Sequence, residues 1–303
     1  MHLLKSVKQI IINLGSKGVK MEIKSVCVIG AGTMGSGIAQ LIVTHGYKVN
    51  LVDINENILK DAKSKIQKNL ERFFIAKNKI SKEEADFILD RINLSLNIDE
   101  AIKGVPIVIE AVFEDMNLKQ QLFSQLDSLC DKEVILASNT SSLSITDIAS
   151  KTKNQERIVG IHFFNPATVM KLIELIKGKN TSDEVLEYSK NFSESLEKTV
   201  VMVNDSPGFV TSRLIYTMCN EAINMKREGI ASTEDIDIAC KLAFNFPMGP
   251  LELSDLVGLD IYDHIGDYLY GELGDKYIPS PLLKEMVKNN LLGRKTGKGF
   301  YNY

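Results

Sequence analysis

Four histidines occur in this 303-residue chain, and one of them stands where a proton could be moved. Val159-Gly160-Ile161-His162-Phe163-Phe164-Asn165-Pro166 is an apolar, β-branched run that gives way to a turn. Met170-Lys171-Leu172-Ile173-Glu174-Leu175 is a second strand-like run, and it carries a carboxylate. Folded as a hairpin centred on Thr168, the two runs put His162 opposite Glu174 and Phe164 opposite Leu172. A carboxylate beside an imidazole fixes its tautomer and stabilises the imidazolium, which suits a general acid–base. A structural His–Glu pair in a sheet has the same pattern, so the pair alone does not decide.

A second motif lies upstream. Ile23-Lys24-Ser25-Val26-Cys27-Val28-Ile29 reads as a strand, and Gly30-Ala31-Gly32-Thr33-Met34-Gly35 follows at once. Met34, Ile38, Leu41 and Ile42 then recur at helical spacing up to Gly46, and Tyr47 to Val52 reads as a second strand ending on Asp53. A GxGxxG that follows a strand, opens a helix and precedes such an acidic residue is a dinucleotide fingerprint. Gly30 permits the tight turn, Gly32 lets a pyrophosphate approach the backbone, and Gly35 lets helix and strand pack closely. Thr33 and Met34, in the first turn, offer N–H groups and a positive dipole end to phosphates. Asp53 is placed to bind both ribose hydroxyls and to repel a 2′-phosphate, so the expected cofactor is NAD rather than NADP.

These motifs need a sheet to carry them. Pro106 to Val112 and Glu133 to Ala137 read as strands apolar on both faces, with a helix from about Met116 to Leu129 between them; Thr199 to Val203 closes the series. Residues 55–79 read as one long polar helix, and Ser81-Lys82-Glu83-Glu84 is a capping box opening another to about Ile92. From Ser206-Pro207 onward the apolar stripes are helical, at about 208–228, 233–245, 251–256, 259–272 and 280–291. The expected fold class is α/β: a Rossmann-type, mostly parallel sheet with an inserted helical pair, followed by an all-α C-terminal domain. The expected domains are 21–204 for NAD and 205–303 for substrate and dimerisation. Residues 1–20 are expected to be a dispensable extension ahead of Met21, the product of a mis-called start.

Composition fits an enzyme of the cytoplasm. With 44% hydrophobic and 25% charged residues the chain can bury large cores. A net charge of −3 gives no reason to expect nucleic acid. No apolar run approaches the length that spans a bilayer. Cys27, Cys130, Cys219 and Cys240 lack any metal-like spacing, so no metal is expected and a reducing compartment suits them. A stripe at Ile215, Met218, Cys219, Ala222 and Ile223 offers apolar surface for a homodimer through the helical half.

Several motifs in order give a family resemblance. Gly30 to Gln40, Ala137 to Leu143, Ile161 to Pro166, Met170 to Glu174, Pro207-Gly208-Phe209, Pro247 to Leu253 and the closing Gly293 to Tyr301 resemble the short-chain L-3-hydroxyacyl-CoA dehydrogenases, most closely the bacterial 3-hydroxybutyryl-CoA dehydrogenases. The resemblance runs from about Ile23 to Tyr303. It implies interconversion of an (S)-3-hydroxyacyl-CoA and a 3-ketoacyl-CoA with NAD, His162 as the base, Glu174 as its orienting partner, and a dimer. It implies that Ser141 binds the substrate oxygen near the nicotinamide, and that Glu114, Lys119, Asn165 and Lys295 lie around the NAD. Where the family carries a substrate-contacting asparagine after Pro-Gly-Phe, this chain has Ser212, a shorter group that also donates and accepts. For the CoA phosphates, Lys65, Lys68, Arg72, Lys77 and Lys79 form a basic stripe on the inserted helices, Lys77 among the expected substrate contacts. Two rivals share these motifs: a dehydrogenase of a free hydroxy acid such as L-gulonate, and a non-catalytic NAD-binding relative.

Overall fold

The computed structural model describes residues 11–14 and 19–303. Strands β1 (Ile11–Leu14) and β2 (Val19–Glu22) pair antiparallel. The remainder of the extension expected to be dispensable, residues 1–10 and 15–18, lies outside the described residues. The chain divides into two units, 1–205 and 206–303.

In the first unit, β-branched runs form the strands because they pack well on a pleated surface covered on both faces. These are β3 (Ser25–Ile29), β4 (Lys48–Val52), β5 (Ile92–Ser95), β6 (Ile107–Glu110), β7 (Ile135–Ser138), β8 (Ile158–Phe163), β9 (Leu172–Lys177) and β10 (Thr199–Asn204). They make one eight-stranded sheet in the order β10-β9-β8-β7-β6-β3-β4-β5. Every pairing is parallel except β8 with β9. β6, β7 and β8 are buried along their whole length. The helices of this unit are α1 (Thr33–Thr44), α2 (Glu56–Leu70), α3 (Lys82–Leu89), α4 (Ile98–Ala101), α5 (Met116–Leu129), α6 (Ile145–Ala149) and α7 (Asp183–Ser195). Val28, Val49, Leu51, Ile109, Ala137 and Ile161 belong to its core.

The expected helical pair is modified in two places. The long helix stops being α-helical at Leu70 and continues as a π-turn, Glu71–Ile75, where Ala76 N–H donates to the Glu71 carbonyl at 2.9 Å. The wider turn lets Phe74 and Ile75 pack on the core while Phe73 stays 42% exposed. The following helix ends at Leu89, and Ile92–Ser95 is not helix but the edge strand β5, parallel to β4. A four-residue edge strand has one buried residue, Ile92, and so no period from which to read it. The helices α6 and α7 have no counterpart among the sequence expectations.

The second unit is helical: α8 (Thr211–Arg227), α9 (Thr233–Phe244), α10 (Pro250–Val257), α11 (Leu259–Leu273) and α12 (Pro281–Lys288). Its core holds Tyr216, Cys219, Ala222, Ile223, Leu251, Leu259 and Leu269, with Ile215 and Met218 packed against them. The stripe expected to supply a dimer surface is therefore spent inside the unit, because α10, α11 and α12 all pack on α8. The closing motif turns back onto α10: Asp255 accepts from the Phe300 and Tyr301 N–H groups at 3.0 and 2.9 Å. A side chain on Gly299 would lie 2.0 Å from that carboxylate. No helix of the described residues is long and apolar enough to cross a membrane. All four cysteines are free thiols, and Cys27 is a buried strand residue.

Candidate active site

The glycine loop joins β3 to α1 at the carboxyl edge of the sheet. Gly30 has φ +97°, and a Cβ there would lie 2.5 Å from the Ala111 carbonyl oxygen. A Cβ on Gly35 would lie 1.7 Å from the Gly30 carbonyl oxygen, so helix and loop pack only with hydrogen at that position. Gly32 has nothing within 4 Å of the place a Cβ would fill. It is also the N-cap of α1 and makes no side-chain cap bond, which suits a loop that receives phosphates. Thr33 is exposed and Met34 half-buried in the first turn. Asp53 stands just past β4: Oδ2 accepts from the Ala31 N–H at 2.8 Å and Oδ1 from the Asn55 N–H at 3.1 Å. The carboxylate thus reaches the glycine loop itself. Ile54 and Phe113, 96% and 87% exposed, stand beyond β4 and β6 and are apolar surface suited to a planar ring.

At the ends of β6 and β7 a carboxylate–ammonium cluster shapes the next edge. Glu110, fully buried, accepts from Lys119 Nζ at 2.6 Å, from the Val112 N–H at 2.8 Å and from Ser138 Oγ at 2.7 Å. The Lys119 ammonium also pairs with Glu114 at 3.3 Å. Burial alone would lower the Lys119 pKa, but Glu110 and Glu114 outweigh it and hold the ammonium above its ordinary value. Burial alone would raise the Glu114 carboxyl; Lys119 and donors from Thr140 and Ser141 outweigh it and hold it below the usual carboxylate range. Glu114 Oε1 accepts from Thr140 Oγ1 at 2.6 Å, the Ser141 N–H at 2.9 Å and Ser141 Oγ at 3.2 Å. Ser141 is held by Glu114, and Glu114 by Lys119. The runs Glu110 to Glu114 and Ser138 to Ser142 are expected at the ligand edge of the sheet, but no individual role is expected for Glu110 or Ser138. The signal for Glu110 was present, since a carboxylate at the end of a fully apolar run needs a buried partner.

The hairpin is the third part. β8 and β9 pair with His162 opposite Glu174, the register expected from the sequence, and His162 Nδ1 lies 2.8 Å from Glu174 Oε2. Glu174 is fully buried, and the imidazole packs on Phe164 with ring centroids 4.4 Å apart. Phe163 N–H donates to Asn139 Oδ1 at 2.9 Å, which ties the end of β8 to the loop carrying Ser141. The connecting loop contains exposed Asn165 and the cis Asn165–Pro166 peptide.

Other expected residues lie elsewhere. Ser212 is buried in the first turn of α8, and Lys295 pairs with Asp260, both within the second unit. Lys65, Lys68, Arg72, Lys77 and Lys79 are all exposed. Arg72 and Lys77 flank Phe73, with their charged ends 5.1 and 5.7 Å from its ring centroid. Among the described residues no group of three His, Cys, Asp or Glu is arranged to hold a metal ion.

Comparison with known proteins bears on both units. Residues 25–206 match the family described as 3-hydroxyacyl-CoA dehydrogenase, NAD binding domain, and residues 208–303 the family described as 3-hydroxyacyl-CoA dehydrogenase, C-terminal domain. The chain is 46% identical over 277 residues to a 3-hydroxybutyryl-CoA dehydrogenase of Clostridioides difficile, covering 91% of this chain and 98% of that one. It is 45% identical over 284 residues to a probable 3-hydroxybutyryl-CoA dehydrogenase of Bacillus subtilis, covering 93% and 98%. The crystal structure of (S)-3-hydroxybutyryl-CoA dehydrogenase from Ralstonia eutropha superposes with a TM-score of 0.89 at 43% identity, covering 93% of this chain and 99% of that one.

Proposed function

The chain belongs to the 3-hydroxyacyl-CoA dehydrogenase family, and on that premise we propose that it is an NAD-dependent oxidoreductase interconverting (S)-3-hydroxybutyryl-CoA, or a similar short-chain thioester, and acetoacetyl-CoA. The observation that carries this reading is the His162–Glu174 pair at 2.8 Å, built into the same sheet as the glycine loop.

The residues fit a dinucleotide. The open space at Gly32, the uncapped first turn of α1 and the Asp53 carboxylate beside Ala31 N–H would hold its pyrophosphate and adenosine ribose. Ile54 and Phe113 would cover the adenine. NAD supplies the hydride acceptor for the substrate carbinol. With Nδ1–H given to Glu174, His162 uses Nε2 to take the substrate hydroxyl proton, and returns it in the reverse direction. Glu174 stabilises the imidazolium that forms. Ser141 holds the substrate oxygen, while Lys119, buried between two carboxylates, serves by fixing Glu114 rather than by touching ligand. Glu114, Asn165 and Lys295 are assigned to the NAD, and Ser212 to the substrate. Phe73 with Arg72 and Lys77 is a cationic aromatic platform suited to the CoA nucleotide.

The assembly is a homodimer through the helical unit, now supported by other residues than the buried stripe of α8. Ile238, Leu242 and Phe244 on α9 are exposed apolar surface that a second copy can cover. Its four free thiols suit the cytoplasm.

The test is NADH oxidation with acetoacetyl-CoA beside NAD reduction with free hydroxy acids such as L-gulonate. Turnover of the thioester is expected. Turnover of the free acid with an inert thioester would overturn the reading.

A further inference from the structure

Lys198, just ahead of β10, is 9% exposed, and its ammonium donates to the Ala167 carbonyl at 2.6 Å and the Met170 carbonyl at 2.7 Å. Among the described residues no carboxylate pairs with it, and burial pushes its pKa below the ordinary lysine value. An ammonium buried without a counter-ion is a costly way to fill space, which an apolar side chain would do without desolvation. What the charge obtains instead is two converging carbonyl dipoles.

Both carbonyls lie in the loop between the His162 strand and the Glu174 strand. That loop folds on itself through the Pro166 carbonyl, which accepts from the Val169 and Met170 N–H groups at 2.9 and 3.0 Å. Asn139 pins its start at Phe163, and Thr199 N–H, donating to the Lys171 carbonyl at 2.7 Å, pins its end. Its middle rests on α1, where a Cβ on Gly37 would lie 3.6 Å from that of Ala167. The loop therefore spans from the imidazole to α1, the helix that follows the nucleotide loop, and Lys198 grips it at that point.

We infer that Lys198 is a positioning residue for hydride transfer: by holding Ala167 and Met170 it sets His162 and Asn165 against α1. The inference rests on the dehydrogenase reading. Misplacing reacting groups by about 1 Å can cost about 10²-fold in rate, whereas the nucleotide loop itself is untouched. Lys198→Met, similar in length and easy to bury, is expected to lower kcat about 10- to 100-fold. The KM for acetoacetyl-CoA and the Kd for NADH should stay within about threefold. The primary isotope effect with NADH deuterated at the transferred position should rise, because hydride transfer becomes more rate-limiting. Lys198→Arg, which can donate to both carbonyls, should recover much of the rate. Should Lys198→Met not fold, Lys198→Gln, with one donor group left, is read in the same assays. A folded Met or Gln variant with a lower Tm but wild-type kcat and isotope effect would reduce Lys198 to a structural anchor and overturn the inference. So would an equal loss in NADH affinity, which would place the damage at the nucleotide loop. A wild type inert toward acetoacetyl-CoA would remove the dehydrogenase reading itself, whereas an active wild type with an indifferent Lys198→Met removes this inference alone.

Discussion

Replacing Glu174 by glutamine tests the chemistry with almost no change of shape. The carboxylate is fully buried, and its Oε2 lies 2.8 Å from His162 Nδ1. The amide can still accept from Nδ1–H, so the ring keeps a partner, but the negative charge is gone when the imidazolium forms. Two unit charges about 4 Å apart attract by about 4 kcal/mol at an effective dielectric near 20. At about 1.4 kcal/mol per tenfold, Glu174→Gln should lower kcat for (S)-3-hydroxybutyryl-CoA oxidation, the direction in which the imidazolium forms, by about 10²–10³. NADH affinity should hold, since the glycine loop and Asp53 lie on other strands. The assay follows NADH absorbance at saturating thioester, with NADH binding read separately by its fluorescence. A Glu174→Gln protein within about threefold of wild-type kcat, under 1 kcal/mol of barrier, would refute charge stabilisation by this carboxylate and make the pair merely structural.

Asp53→Ser should shift the NAD-to-NADP preference toward NADP by about thirtyfold in kcat/KM, because a hydrogen bond to one cofactor and a repulsion of the other vanish together. A wild type that already prefers NADPH would dispose of that assignment of Asp53. Ser212→Asn should keep activity on acetoacetyl-CoA, while Ser212→Ala should cost about 0.5–1.5 kcal/mol in kcat/KM; loss in the Asn variant with an unaffected Ala variant would mean the substrate is held otherwise. Asp127, buried against Arg157 at 2.8 Å, concerns stability. Burial alone would raise its carboxyl, but Arg157, the Lys153 N–H and Asn154 outweigh it and hold the pKa below the usual range. Its contribution is therefore complete above about pH 4 and lost as pH falls through the lower folded value. Asp127→Asn should cost about 3 kcal/mol by urea unfolding near neutrality, with the gap closing in acid; a gap independent of pH would count against an ionised pair.

Local pattern reached far into this protein. The alternation of side chains along Ile158–Phe163 and Leu172–Lys177 was enough to pair His162 with Glu174, because strand periodicity is two and a slip of one residue would turn both groups to the other face. The helix Met116–Leu129 was legible to its ends, and Gly30 and Gly35 revealed the loop because contacts of 2.5 and 1.7 Å leave no room for a side chain. Tertiary contact decided what has no period. Ile92–Ser95 is a strand only because β4 offers it hydrogen bonds, and the α8 stripe is core only because three helices cover it. The site's supports were hidden for the same reason. Lys119 joins Glu110 to Glu114, and Lys198 reaches Ala167 across 31 residues, through single long side chains whose ends no sequence spacing can locate. Sequence alone specified that His162 and Glu174 face each other, since residue type and strand register are local properties. Only the fold determined what holds them still, since burial and charge pairing belong to neighbours that the chain brings together from a distance.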